Sequence, residues 1–226
     1  MISPRRCTLG ATAVLCLVLL APHASATVVL GFEGLQDCEQ ILQFYNGGLG
    51  GYGSGPGPDY GISFGADALA LIDADAGGTG NFANEPSPDN IAFFLTGPGV
   101  IMDVPAGFST GFSFYYTNIY NPGSVDVWDG LNASGTLLAS LYLPALGSSG
   151  NGDPTGAYDT WAPVGVAFPG SAKSVNFSGS ANYIGFDNVT LGSQTPSPGV
   201  PEPTSIALLA LAAGGIGATL RKRRRQ

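Results

Sequence analysis

Positive charge is almost missing from the body of this 226-residue chain: of eight Lys or Arg, only Lys173 lies between Arg6 and Arg221. Across residues 27–200, 15 acidic side chains face that one lysine, a net charge of −14. Phosphate backbones are held by clustered Lys and Arg that displace counterions, so this composition excludes nucleic acid as a partner. Histidine occurs once, at His23, and the cysteines are Cys7, Cys16 and Cys38. If residues 1–26 are removed, one thiol and no imidazole remain. That excludes an internal disulfide framework, His-based zinc sites, and Ser–His or Cys–His catalysis. Long amphipathic helices are scarce too. Gly is 35 of 226 residues, about twice its usual share, and each Gly inside a helix costs about 1 kcal/mol against Ala.

The cationic residues that are present gather at the two ends. Arg5 and Arg6 precede the apolar run "LGATAVLCLVLLA", followed by "ASA" at Ala24 to Ala26. A charged start, an apolar stretch and a small-x-small site make a secretory signal peptide over residues 1–26, cut between Ala26 and Thr27. Cys16 lacks the preceding small residue that lipoprotein processing requires, so no lipid anchor is expected. At the other end, residues 204–220 carry no charge. As a helix this stretch would span about 26 Å, enough for a bilayer core. The basic run Arg221, Lys222, Arg223, Arg224 and Arg225 would stay on the cytoplasmic side, so both ends imply delivery of residues 27–191 across a membrane. A buried core helix with a solvated basic tail is the alternative reading.

Pro201, Glu202 and Pro203, then the apolar stretch, then the Arg-rich end, together resemble the PEP-CTERM sorting signal of exopolysaccharide-producing Gram-negative bacteria. The resemblance covers residues 200–226. It implies that exosortase, a membrane protease-transpeptidase, reads Pro201, Glu202 and Pro203 and removes the tail. The chain would then start as an inner-membrane-anchored precursor and end at the cell surface, in the outer envelope or in the extracellular matrix. The same segment is also known as an ice-binding protein C-terminal region. That label belongs to a tail shared by diverse proteins and transfers no ice binding to the body. The stretch before the motif, residues 192–199, is rich in Pro, Ser and Gly and reads as an extended, accessible linker.

Between the ends, short apolar or alternating runs are closed by Gly, Pro, Asn or Asp: "TVVLGF", "GISF", "ALALI", "IAFFL", "VIMDV", "GFSFYYT", "SVDVWD", "TLLASLYL", "VGVAF", "KSVNFS" and "YIGFDNVTL". Such runs read as strands, and this number of them with little helix predicts an all-β, jelly-roll-like antiparallel β-sandwich over residues 27–191. The helical candidate is "LQDCEQILQFY", residues 35–45. Alternation places Phe112, Phe114 and Tyr116 on one face, and Val125 and Val127 on a core face with Trp128 turned the other way. In "YIGFDNVTL" the apolar positions slip by one, which predicts a bulge at Asp187 and Asn188.

Candidate sites follow from the acids and aromatics. Glu33, after the first strand, and Asp187, in the last, meet if those strands are neighbours. The arrangement resembles Ca²⁺-containing carbohydrate-binding modules and related jelly rolls, in which an early Glu and a late Asp share a structural metal. The resemblance implies Glu33 and Asp187 as ligands of structural Ca²⁺, which takes oxygen donors; two carboxylates on solvated strand ends is the alternative. "DADAGGTGN" opens like a calcium-binding loop with Asp73, Asp75 and Gly78, but Gly77 and Asn84 stand where further ligands belong, so it reads as a Gly-rich acidic turn. Residues 78–90 read as a long surface loop, and Cys38 as a quiet buried thiol. No other cofactor is expected.

The functional expectation is an exported, noncatalytic envelope or extracellular-matrix protein processed by exosortase and associated with exopolysaccharide or biofilm. A Ca²⁺-stabilised carbohydrate-binding module is the alternative, with Trp128, Trp161, Tyr120 or Tyr158 stacking on sugars. A glycoside hydrolase ranks below both: paired carboxylates would suffice for one, but no motif singles out a pair.

Overall fold

The computed structural model describes residues 27–152, 154 and 156–197. Its eleven strands are β1 (Val28–Leu30), β2 (Ser63–Phe64), β3 (Leu69–Ile72), β4 (Asn90–Phe93), β5 (Gly99–Phe108), β6 (Phe112–Asn118), β7 (Gly123–Trp128), β8 (Leu137–Leu143), β9 (Ala162–Val166), β10 (Ala172–Ser178) and β11 (Ile184–Leu191). Each apolar run quoted above overlaps one of them. All pairings between strands are antiparallel and make two sheets, ordered β3-β4-β11-β6-β9 and β2-β5-β10-β7-β8, with β1 also paired to β11. This is the expected all-β, jelly-roll-like sandwich.

Alternation explains which faces meet. Phe112, Phe114 and Tyr116 of β6 and Val125 and Val127 of β7 are buried in the common core. Phe177 of β10 joins the sheets, with its ring 5.9 Å from Phe112, 5.8 Å from Phe114 and 4.9 Å from Phe186, edge to face. Trp128 points away from that core and is half-buried under its surroundings. The predicted bulge is present: the β11–β6 register shifts between Asp187 and Thr190, and Asn188 adopts φ 46°.

Residues 35–45 do not form the expected helix. Cys38 and Leu42 take φ of 56° and 46°, the left-handed region that interrupts a right-handed helix, and the segment folds as consecutive turns. Glu39 explains why. Its carboxylate is buried and accepts from the N–H groups of Gln36 at 2.7 Å, Tyr52 at 2.7 Å and Ser54 at 3.1 Å. The Gly-rich loop therefore wraps around this acid. At Gly50 a Cβ would lie 2.5 Å from Glu39 Oε1, so only glycine allows so close an approach.

The signal peptide with Ala24 and Ala26, the motif at Pro201, Glu202 and Pro203, the apolar stretch 204–220 and the basic run Arg221 to Arg225 lie outside the described residues. Among the described residues, no helix is long and apolar enough to cross a membrane. The first part of the segment read as a linker rests on the sandwich: Ser113 Oγ donates to Ser193 O at 2.9 Å, Ser197 N donates to Thr190 Oγ1 at 3.2 Å, and Pro196 is buried.

Candidate functional site

The first and last strands are neighbours, with Leu30 opposite Val189, and this pairing brings Glu33 and Asp187 to the same end of the sandwich. Between them stands Ser87, supplied by the loop that enters β4. Asp187 is fully buried and accepts from Ser87 N at 2.7 Å, Ser87 Oγ at 2.8 Å and Asn188 N at 2.6 Å. Glu33 accepts from Asp89 N at 3.1 Å and Asn90 N at 3.0 Å through Oε1, and its carboxylate also faces the Ser87 hydroxyl. Asn90 ties the junction together by donating its side-chain amide to Phe32 O and Leu35 O, both at 3.0 Å. The expectation of a surface loop over residues 78–90 is corrected here: Phe82, Ala83, Ser87 and Asn90 are buried because the loop carries partners for both strands.

The junction holds more acceptors than protons. The Ser87 hydroxyl has a single hydrogen, yet Asp187 Oδ1, Asn90 O and Gly31 O lie within 2.8, 2.9 and 3.2 Å of its oxygen. Asn188 is fully buried beside it, and among the described residues neither Oδ1 nor Nδ2 has a hydrogen-bond partner. A Cβ placed on Gly31 would meet Asn188 Oδ1 at 3.6 Å and Ser87 Oγ at 3.8 Å, so these two oxygens flank the same bare backbone position. Burial pushes the Asp187 carboxyl up to about 7, and nearby Glu33 adds to the shift against the hydrogen bonds that oppose it. Burial likewise raises Glu33, opposed by the Asp89 and Asn90 N–H groups. Two carboxylates, a hydroxyl, carbonyls and an unpaired amide oxygen are the donor types a hard divalent cation takes. The residues present thus fit Ca²⁺, although they form no group of three His, Cys, Asp or Glu among the described residues.

The other sequence candidates are dispersed. Asp73 is buried in a turn closed by Gly78 N donating to Asp73 O at 2.8 Å, and burial together with the neighbouring Asp75 pushes its carboxyl up to about 6. This matches the reading of a Gly-rich acidic turn. Tyr120 is 85% exposed on a loop, and Trp128 sits on the opposite sheet. Trp161 is half-buried, packs edge to face on Phe82 at 6.5 Å and donates Nε1–H to Ala83 O at 3.0 Å.

Tyr158 alone among the proposed aromatics lines a cavity, of about 370 Å³, on the outer face of the β3-β4-β11-β6 sheet. Leu71, Ile91, Phe93, Thr117 and Gly185 contribute from the strands, with Asn81, Asn182 and Tyr183 around the mouth. The parallel bridge between Phe82 and Tyr158 lays two loops over part of this face. Asp159 fixes one of these loops by accepting from Ser149 N at 2.7 Å, Ser149 Oγ at 2.8 Å and Asn151 N at 2.9 Å. Those hydrogen bonds hold its carboxyl well below the usual carboxylate range. Cys38 is not a buried core thiol: it is half-buried, lines the same cavity and has Sγ 3.8 Å from Thr79 Oγ1. Tyr183 is one of the residues sequence reasoning missed, with Ser87, Thr117 and Gly185. It directly precedes β11 and is 50% exposed at the rim.

Strand order, the buried acidic junction and the open outer groove define an antiparallel β-sandwich of jelly-roll type. Residues 199–225 match the PEP-CTERM protein-sorting motif, which indicates an exported chain sorted by exosortase. No curated protein matches the chain. Among solved structures, the K2 cleaved adhesin domain of Lys-gingipain is similar at 16% identity and TM-score 0.48, over 74% of this chain and 98% of that domain. A carbohydrate-binding module from Cellvibrio mixtus lichenase 5A in complex with cellotriose is similar at 12% identity and TM-score 0.32, over 57% of this chain and 88% of that one. A glycoside hydrolase family 43 arabinoxylan arabinofuranohydrolase from Bacillus subtilis is similar at 16% identity and TM-score 0.36, over 57% of this chain and 25% of that one. Likeness at this level says nothing of ligand or activity.

Proposed function

We propose that the chain is an exported, noncatalytic envelope or extracellular-matrix protein, released from an inner-membrane precursor by exosortase and associated with exopolysaccharide or biofilm. The observation that carries this reading is the sorting motif over residues 199–225, close behind the last strand at Leu191. Deleting residues 201–226 tests it in the native host: immunoblots should show changed size, membrane association and final location. Unchanged behaviour would contradict it.

The oxygen-rich junction supports a further part of the reading, a structural Ca²⁺ shared by Glu33 and Asp187. The cation would supply the positive charge that Asp187, Glu33 and the unpaired Asn188 Oδ1 lack, and would brace β1 against β11. The same geometry weighs against a glycosidase built on this pair. Asp187 has no solvent exposure, and both acids are engaged by backbone N–H groups. Turnover of host exopolysaccharide by purified protein, abolished by a single Asp→Ala or Glu→Ala change, would overturn the noncatalytic reading.

A further inference from the structure

We infer that the outer groove of the β3-β4-β11-β6 sheet binds an uncharged stretch of sugar chain, an inference that rests on the polysaccharide reading above. Its floor is a cross-strand row: Leu71 pairs with Ile91, and Thr117 with Gly185. Gly185 keeps the floor low. A Cβ there would lie 2.7 Å from Ile91 Cδ1 and 3.3 Å from Thr117 Cγ2, so the bare backbone lets these two floor side chains close over it.

Thr117 is the residue whose chemistry calls for a ligand. It is 1% exposed, it lines the cavity, and among the described residues its hydroxyl has no hydrogen-bond partner. A buried hydroxyl without a partner is unfavourable unless something supplies one. The neighbours are of the kinds that hold sugars. Phe93 and Ile91 give an apolar floor, and the amides of Asn81 and Asn182 stand beside it. Asn81 Oδ1 already accepts from Ala157 N at 3.1 Å, which leaves the donor end of that amide for a ligand. Tyr158 and Tyr183 stand close enough at the mouth for Tyr183 to raise the Tyr158 phenol, after the larger effect of burial. Aromatic faces beside convergent hydroxyl and amide groups are suited to the mixed apolar and hydroxylated faces of a pyranose.

Charge selects among saccharides. Among the described residues, no Lys, Arg or His lines the groove. Lys173, the only cation of residues 27–197, lies on β10 in the other sheet, and that same stretch carries 15 acidic residues. A uronic-acid-rich or sulfated chain would meet a field of its own sign with nothing to neutralise it. A cavity of about 370 Å³ is at the small end of ligand sites, so the contact is with one or two sugar rings of a longer neutral polymer.

The test is binding of the purified protein to neutral and acidic oligosaccharides and to host exopolysaccharide, by calorimetry and ligand-observed NMR, with thermal unfolding of every variant. Tyr158→Ala and Tyr183→Ala should each weaken binding of the neutral glycan by about 10-fold or more. Thr117→Val keeps the shape and removes the hydroxyl. It should weaken binding by about 5- to 10-fold while the melting temperature holds or rises, because no protein partner is lost. A hydroxyl with only a structural role would lower the melting temperature when replaced and leave the affinity alone. If host polysaccharide binds and folded variants at all three positions bind it as the parent does, the groove inference fails while polysaccharide association stands. Preference for acidic glycans also overturns the inference. Binding to no saccharide at all removes both.

Discussion

Replacing Asp187 by Asn should separate the buried charge from the shape of the β1–β11 junction. Asp187 has no solvent exposure and keeps its proton up to about pH 7, against an ordinary 3.8. Its folded-state affinity for the proton exceeds the unfolded one, so the cation-free protein loses stability as pH rises from about 4 through 7. At pH 8 the cost of holding that carboxylate ionised is about 4 kcal/mol. Asn removes the charge but accepts less well from Ser87 N and Asn188 N, which returns about 1–3 kcal/mol. In chelator at pH 8, Asp187→Asn should therefore melt at or slightly above the parent. Calcium should reverse the order. A cation at 100 times its dissociation constant adds about 2.7 kcal/mol, or about 5–10 °C for a domain of this size, to the parent only. At pH 5, where the parent Asp187 is protonated, that gain should shrink. Calorimetric scans of both proteins with chelator and with Ca²⁺, at pH 5 and 8, read out all these signs. A parent melting temperature indifferent to Ca²⁺ at pH 8, with the variant less stable under every condition, would refute the reasoning.

Glu39→Ala should destabilise by about 2–4 kcal/mol, since the N–H groups of Gln36, Tyr52 and Ser54 lose their acceptor. Urea titration measures this, and an effect within error would mean the Gly-rich loop does not need the acid. Burial raises the Glu39 carboxyl, but the N–H donors outweigh it and hold it low. Its contribution is thus present above the ordinary Glu range and fades as pH falls through the depressed folded value. Phe177→Ala should cost about 3–5 kcal/mol, because the ring packs on Phe112, Phe114 and Phe186 across the two sheets. A loss below 1 kcal/mol would contradict the described core.

Strand existence was legible because the signals are local: apolar alternation stopped by Gly, Pro and Asn. The same parity exposed the slip at Asp187 and Asn188, and with it the bulge that places two polar side chains in the interior. The proximity of Glu33 to Asp187 followed from expecting the first and last strands to pair. Ser87 was not foreseeable, because a serine in "EPSPDN" gives no hint that it sits between two distant carboxylates. The apparent helix over residues 35–45 failed for a related reason. Glu39 forms its bonds with Tyr52 and Ser54, more than ten positions away, and these outweigh local helix propensity. The groove escaped notice because Thr117, Gly185 and Tyr183 become neighbours only through strand order.

Intact-mass and terminal-peptide spectrometry of the protein isolated from its own host tests export and sorting most directly. The account predicts a mature chain that begins at Thr27 and has lost the basic run Arg221 to Arg225 by cleavage at the sorting motif. Recovery of the uncut 226-residue polypeptide from the cytosol, with both cationic ends in place, would contradict it.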